Sequence, residues 1–221
     1  MVTSTERLAR LLQLASPALP VGAYSYSGGL EAVVEAGIVR DAASAERWIG
    51  DVLAHSVARM EAPVLFRLCA AWRTGDRMAI EHWNGVFLAS RETAELRAET
   101  VQMGYSLARL ASELGLGEIA LEEIAYPTAF SFAAERWKID PQAALEGYLW
   151  AWLENQAMAA VKSVPLGQTD AQKMLLSLGK RLAEISARAR LLSDDELDNF
   201  APGLALHSSR HETQYSRLFR S

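Results

Sequence analysis

The sequence predicts an all-α fold, a single-domain helical bundle of about nine or ten helices, on three observations. Apolar residues recur at helical intervals along most of the chain. Start and stop signals bracket those stretches and leave short connections, and no segment alternates apolar and polar residues as a half-buried strand does. Half of the 221 residues are hydrophobic, enough to fill one compact core.

A first helix is expected over residues 5–15. The stretch LASPALPVGAYSYSGGLE, residues 14–31, then interrupts the helical pattern with Pro17, Pro20, Gly22, Gly28 and Gly29. The prolines stiffen the chain and Gly22 permits an unusual turn, so Tyr24 and Tyr26 are expected to be held outward at low entropic cost. A short helix follows over 29–36. In SAERWIGDVLAHSVARM, residues 44–60, Trp48, Ile49, Val52, Leu53, Val57 and Met60 form one apolar stripe behind a Ser44 N-cap.

Further helices are expected over 64–73 and 77–89. Within 92–114, Leu96, Met103, Leu107, Leu110 and Leu114 make a seam suited to a neighbouring helix, stopped by Gly115 and Gly117. Another helix covers 128–138. Asp140 followed by Pro141 is an N-cap with proline at the first helical position, opening a helix to about Ser163 with Lys162 near its end. Trp150 and Trp152, two residues apart, diverge by about 200° on that helix, so one of them meets a second surface. Pro165 and Gly167 end it, and Thr169 or Asp170 caps a helix with Met174, Leu175, Leu178, Leu182 and Ile185 on one face.

Residues 193–206, SDDELDNFAPGLAL, mix acidic side chains with Pro202 and Gly203 and read as a hinge. The remainder, HSSRHETQYSRLFRS, places Tyr215, Leu218 and Phe219 on one helical face between Arg217 and Arg220, the pattern of a docking segment. The organisation expected is a body over 1–192, a hinge over 193–206 and a basic docking tail over 207–221, all in one domain.

Composition excludes several classes of function. The net charge of −5 argues against non-specific nucleic-acid binding, although the tail carries three arginines against one glutamate. The single cysteine, Cys69, allows no internal disulfide and no thiolate cage, and reads as a buried, inert thiol. Neither a signal-peptide pattern nor an apolar run of spanning length is present, so a cytoplasmic location off the membrane is expected.

Motif fragments fall away on inspection. LSLGKR, residues 176–181, lacks the first glycine and the final Ser or Thr of a phosphate loop, and GLGEIA, residues 115–120, follows a helix where a dinucleotide fingerprint needs a strand. SYSGG, residues 25–29, approaches a serine-hydrolase elbow but has no sheet to strain it. His207 and His211 share a helix face, yet no cysteine accompanies them, and solvated or capping roles are expected. The six tryptophans read as core or interface anchors, with no basic groove beside them. The turn at 14–31, Lys162 and the tail are what a plain bundle does not require.

LLQLASPALPVGAYSYSGGLE, AVKSVPLGQ and SRHETQYSRLFRS closely resemble, in order and spacing, the UreF family of urease accessory proteins. The resemblance implies an all-α homodimer that is not an enzyme. It implies partners too: a second accessory protein, UreD (also called UreH), the GTPase UreG and apo-urease. The assembly inserts nickel in a GTP-dependent step, with UreF scaffolding and gating the GTPase. No cofactor belongs to the chain itself, since nickel transits the complex and GTP is held by UreG. By motif, Tyr24, Glu31, Lys162 and Arg217 match the family's interaction positions, and Tyr215 and Phe219 are expected as anchors of the tail. Two other readings stand beside this one: a generic all-α protein-interaction scaffold, and a serine hydrolase built on SYSGG.

Overall fold

The computed structural model describes residues 3–221, and among them every regular element is helical. Helix α1 (Ser4–Leu14) opens on a capping box in which Thr3 accepts the Glu6 N–H while the Glu6 carboxylate accepts the Thr3 N–H. The glycine-rich turn leads into the short α2 (Leu30–Glu35). Next come α3 (Ala42–Val52), a π-helical stretch (Leu53–Glu61) and α4 (Ala62–Thr74), which form one uninterrupted rod.

The sequence suggests two helices there, stopping near Met60 and restarting at 64. The rod is continuous because the π register absorbs Pro63. Proline has no N–H to donate and its ring collides with the carbonyl four residues back, and widening the turn removes that collision. The Ala62 N–H accordingly reaches back to the carbonyl of Val57. The predicted stripe faces inward: Ile49, Val52, Leu53, Val57 and Met60 are buried.

Helix α5 (Arg77–Ala89) and α6 (Ala94–Glu113) follow, capped by Asp76 and Thr93. Leu96, Met103 and Leu107 of the predicted seam are buried, while Leu114 lies past the helix end and is half exposed. Helix α7 (Tyr126–Arg136) begins two residues before its predicted start, with Pro127 in its first turn. It packs between α4 and α6. The approach to it is pinned by Asn84, whose amide donates to the Glu123 carbonyl and whose Oδ1 accepts from the Ala125 N–H and the Thr128 hydroxyl.

Helix α8 (Pro141–Ser163) is the spine. Leu145, Tyr148, Leu149, Leu153, Ala157 and Ala160 are buried on different sides of it, as befits a helix enclosed by others. It touches α1, α2, α3, α4, α7 and then α9 (Gln168–Gly179) and α10 (Leu182–Ala189). One helix is predicted where α9 and α10 stand; it breaks after Gly179, yet all five predicted core residues, Met174 through Ile185, are buried. Trp150 and Trp152 diverge as expected: Trp150 is partly exposed and Trp152 packs on the core. Cys69 is buried, and burial pushes its thiol up to about 12, consistent with an inert side chain.

The last helix, α11 (Pro202–His211), begins inside the stretch expected as a hinge and crosses the boundary placed at 206. The segment before it is tied to the rod, where Arg59 pairs with Asp198 and Arg67 with Asp194, and to the end of α5, where the Asn199 amide donates to the Ser90 carbonyl. No helix of the described residues is long and apolar enough to cross a membrane.

Candidate functional site

Residues 15–29 form a turn whose shape is set at three glycines, Gly22, Gly28 and Gly29, all with φ between +58° and +81°. Side chains rarely adopt that backbone, so the sequence puts glycine there. Between them Ala23–Ser25 make a single 3₁₀ turn. Tyr24 projects into solvent as expected. Tyr26 does not: it is buried, its hydroxyl donates to Gln102 Oε1, and burial raises the phenol above its ordinary range. The alternation of side chains through the turn sends one tyrosine out and the other in.

The tail folds back onto this turn. Residues 212–221 are not helical, so Tyr215, Leu218 and Phe219 do not share the predicted face. Tyr215 and Leu218 are exposed and Phe219 is buried. Bends at 215–216 and 218–219 turn these side chains apart where a helix would align them. The Arg220 N–H donates to the Ser25 carbonyl at 2.8 Å, and the Ser27 N–H donates to the Ser221 carbonyl at 3.0 Å.

Glu31 is the acceptor at the centre. Its Oε1 accepts the Leu218 N–H at 2.7 Å, and its Oε2 accepts the Phe219 N–H at 2.9 Å and faces His211 Nε2 at 3.1 Å. The other nitrogen of that imidazole, Nδ1, lies 2.6 Å from Glu95 Oε2, and Glu95 Oε1 accepts from the Arg217 guanidinium at 2.7 Å. Glu31, His211, Glu95 and Arg217 form one chain of polar contacts through the base of the tail.

Lys162 closes the other side. Its Nζ lies 5.6 Å from the Tyr24 ring centroid and 5.5 Å from that of Phe219, and donates to the Tyr24 carbonyl at 3.3 Å. A lysine between two aromatic faces joins turn, spine and tail at one point. Five of the six residues singled out in the sequence, Tyr24, Glu31, Lys162, Arg217 and Phe219, thus belong to one contiguous cluster. Tyr215 stands apart, fully in solvent.

One expectation is corrected here. His207 and His211 are buried, not solvated. His211 is held as described, while His207 meets the edge of Trp48, and burial lowers its pKa. The carboxylates approach His211 from opposite ring nitrogens and do not converge on a point where an ion would sit; among the described residues no three potential ligands form a metal cluster. Nor is SYSGG an elbow: Ser27 is fully buried, follows no strand, and donates its hydroxyl to the Ser221 carbonyl.

Sequence reasoning missed Glu95, Glu99 and Gln102. Their spacing of four and three residues is a polar stripe along one side of α6, next to the apolar seam, and that was the available signal. Gln102 accepts from both Tyr26 and Arg220, and Glu99 accepts the Ser221 hydroxyl at 2.6 Å. Beneath the turn lies a cavity of about 270 Å³ whose lining includes Tyr24, Glu61, Arg91, Glu99, Tyr148 and Lys162. Arg91 pairs with Glu61 at 3.0 Å, and the Tyr148 hydroxyl donates to the same carboxylate at 2.7 Å.

The chain matches the family model described as UreF over residues 39–179. It is 58% identical to the urease accessory protein UreF of Azoarcus sp. (strain BH72), an alignment covering 97% of this chain and 95% of that one. Identity to the urease accessory protein UreF of Dechloromonas aromatica is 53%, over 97% and 98% of the two chains. It is also 50% identical, over 97% of its own length and 52% of the relative's, to a bifunctional urease accessory protein UreEF of Bordetella bronchiseptica.

Proposed function

Given that the chain belongs to the UreF family of urease accessory proteins, we propose that it serves urease maturation as a scaffold and not as an enzyme. In this reading it joins UreD (UreH), recruits the GTPase UreG to apo-urease, and gates GTP hydrolysis while nickel is inserted. Nickel is cargo and GTP belongs to UreG; the chain keeps no cofactor.

The observation that carries the reading is the single cluster of turn, Lys162 and tail. Residues from three distant parts of the sequence meet at a partly exposed edge, where Tyr24 and Leu218 offer apolar and aromatic surface beside Arg217 and Arg220. Aromatic and arginine side chains on a preorganised support are what protein interfaces use as anchors. The fusion of a similar chain to another unit in UreEF supports a place within a multi-protein assembly.

Homodimerisation is part of the proposal. Leu8 and Leu12 of α1 and Trp150 and Met158 of α8 are exposed on two helices that pack together, and apolar surface of that kind favours a second copy.

The test is co-expression with candidate urease accessory partners. The reading expects a stable complex with UreD that then captures UreG, and an altered single-turnover rate of GTP hydrolysis by UreG within it. No co-purification with UreD would remove the proposal; an unaltered GTP rate would remove the gating and leave the scaffold.

A further inference from the structure

We propose that the cavity beneath the turn is a binding site for one small, uncharged ring compound that carries a hydrogen-bond acceptor, of the class of an aryl ketone. The inference concerns this chain alone and does not depend on which partner it meets.

Size sets the first limit. Close-packed interiors keep few voids larger than a water molecule, and this space is about 270 Å³. An apolar cavity of about 150 Å³ admits benzene, so a ring fits here together with a short substituent. Val52, Val57, Phe87, Leu96, Met103 and Trp152 supply apolar wall from five separate elements, as ligand pockets do. The outer end lies at Pro17, Tyr24, Met158 and Lys162, the exposed members of the lining.

Hydrogen bonding sets the second. Tyr126, the first residue of α7, lines the cavity, and among the described residues its hydroxyl meets no hydrogen-bond partner. Its ring lies 5.6 Å from that of Tyr148. The Tyr148 hydroxyl is taken by Glu61 at 2.7 Å, and Glu61 also engages Arg91 at 3.0 Å. Tyr126 is thus a free donor on a wall where Tyr148, Glu61 and Arg91 are spent on one another. An acceptor on the ligand would satisfy it.

Charge sets the third. An anion would meet the carboxylates of Glu61, Glu99 and Glu154, while Arg91 is already held by Glu61 and Lys162 by the Tyr24 carbonyl. A cation would pass Lys162 at the mouth and meet Arg91 in the wall. Burying either charge without a free partner is costly, and an uncharged molecule avoids that cost.

The test is methyl NMR of the full chain, following Val57, Met103 and Met158 as acetophenone, benzene or benzoate is titrated in. Acetophenone and benzene should give saturable shifts at all three residues, with benzoate at least about tenfold weaker than acetophenone. Tyr126→Phe removes only the unpartnered hydroxyl, and should weaken acetophenone about threefold to tenfold while leaving benzene unchanged. Ala151→Phe, which adds a ring to the lining from half-buried α8 surface, should abolish the response to both. No saturable shift with either ring, or benzoate binding as well as acetophenone, would overturn the assignment. So would an equal effect of Tyr126→Phe on the two rings, or undiminished binding in Ala151→Phe.

Discussion

Glu31 accepts the backbone N–H of Phe219 at 2.9 Å, across 188 positions of sequence. One buried carboxylate thus fixes the tail against the turn that precedes α2, and it does so through main-chain N–H groups that any residue but proline at 218 and 219 would provide. What is specific is the acceptor.

Glu31→Ala should release the tail. It leaves the Leu218 and Phe219 N–H groups and one nitrogen of His211 without their acceptor. Hydrogen bonds to a charged group contribute about 1.5–3 kcal/mol each, and removing one partner is costlier than removing both. Amide exchange at 218 and 219 should accelerate at least tenfold while exchange within α8 stays unchanged. Glu31→Gln, which keeps one carbonyl acceptor, should lie between.

Lys162→Met should weaken the coupling between Tyr24 and Phe219 without unfolding the spine, since the lysine sits in the last turn of α8. Each cation–π contact contributes about 0.5–2 kcal/mol. A double-mutant cycle of Lys162→Met with Phe219→Leu, read in tail exchange, should give a coupling energy in that range. Strict additivity would show that the stacked geometry is incidental.

The buried ion pair is a stability element. Arg91→Ala should lower unfolding free energy by about 3–5 kcal/mol in denaturant titration, because it strands the Glu61 charge in the interior. Replacing both partners, as Glu61→Gln with Arg91→Met, should recover a large part of that loss.

Two glycines should behave differently when given a methyl group. A Cβ at Gly104 would lie 1.9 Å from the Ile124 carbonyl oxygen, and backbone cannot give way, so Gly104→Ala should cost at least about 1–3 kcal/mol and separate α6 from α7. At Gly147 the nearest atom is the Leu11 Cδ1 at 2.6 Å, the end of a flexible side chain. Gly147→Ala should be tolerated with a shift of Leu11. Thermal melts of the two variants decide the order.

The helices were legible because burial in a bundle is written as periodic apolar residues, and Ile49, Leu107 and Met174 all lie where periodicity puts them. The π-helical stretch was not: Pro63 reads locally as a break, and the wider register that accommodates it leaves no mark in the apolar periodicity. Among site residues, Tyr24, Lys162 and Phe219 were legible as surplus to a bundle. Their meeting point was not, because it depends on chain reversal after α11. His211 was misread for a related reason. Its partners, Glu31 and Glu95, are 180 and 116 positions away, and spacing along one helix says nothing about carboxylates arriving from others.

The central claim is that the turn and the tail form one surface on which UreD assembles. The direct measurement is the affinity of UreD for the intact chain, for Glu31→Ala, and for the chain cut after Gln214, which spares α11 and its buried histidines. The account predicts that both altered chains keep their helical circular dichroism and lose at least tenfold in affinity. Full affinity of the shortened chain would contradict it.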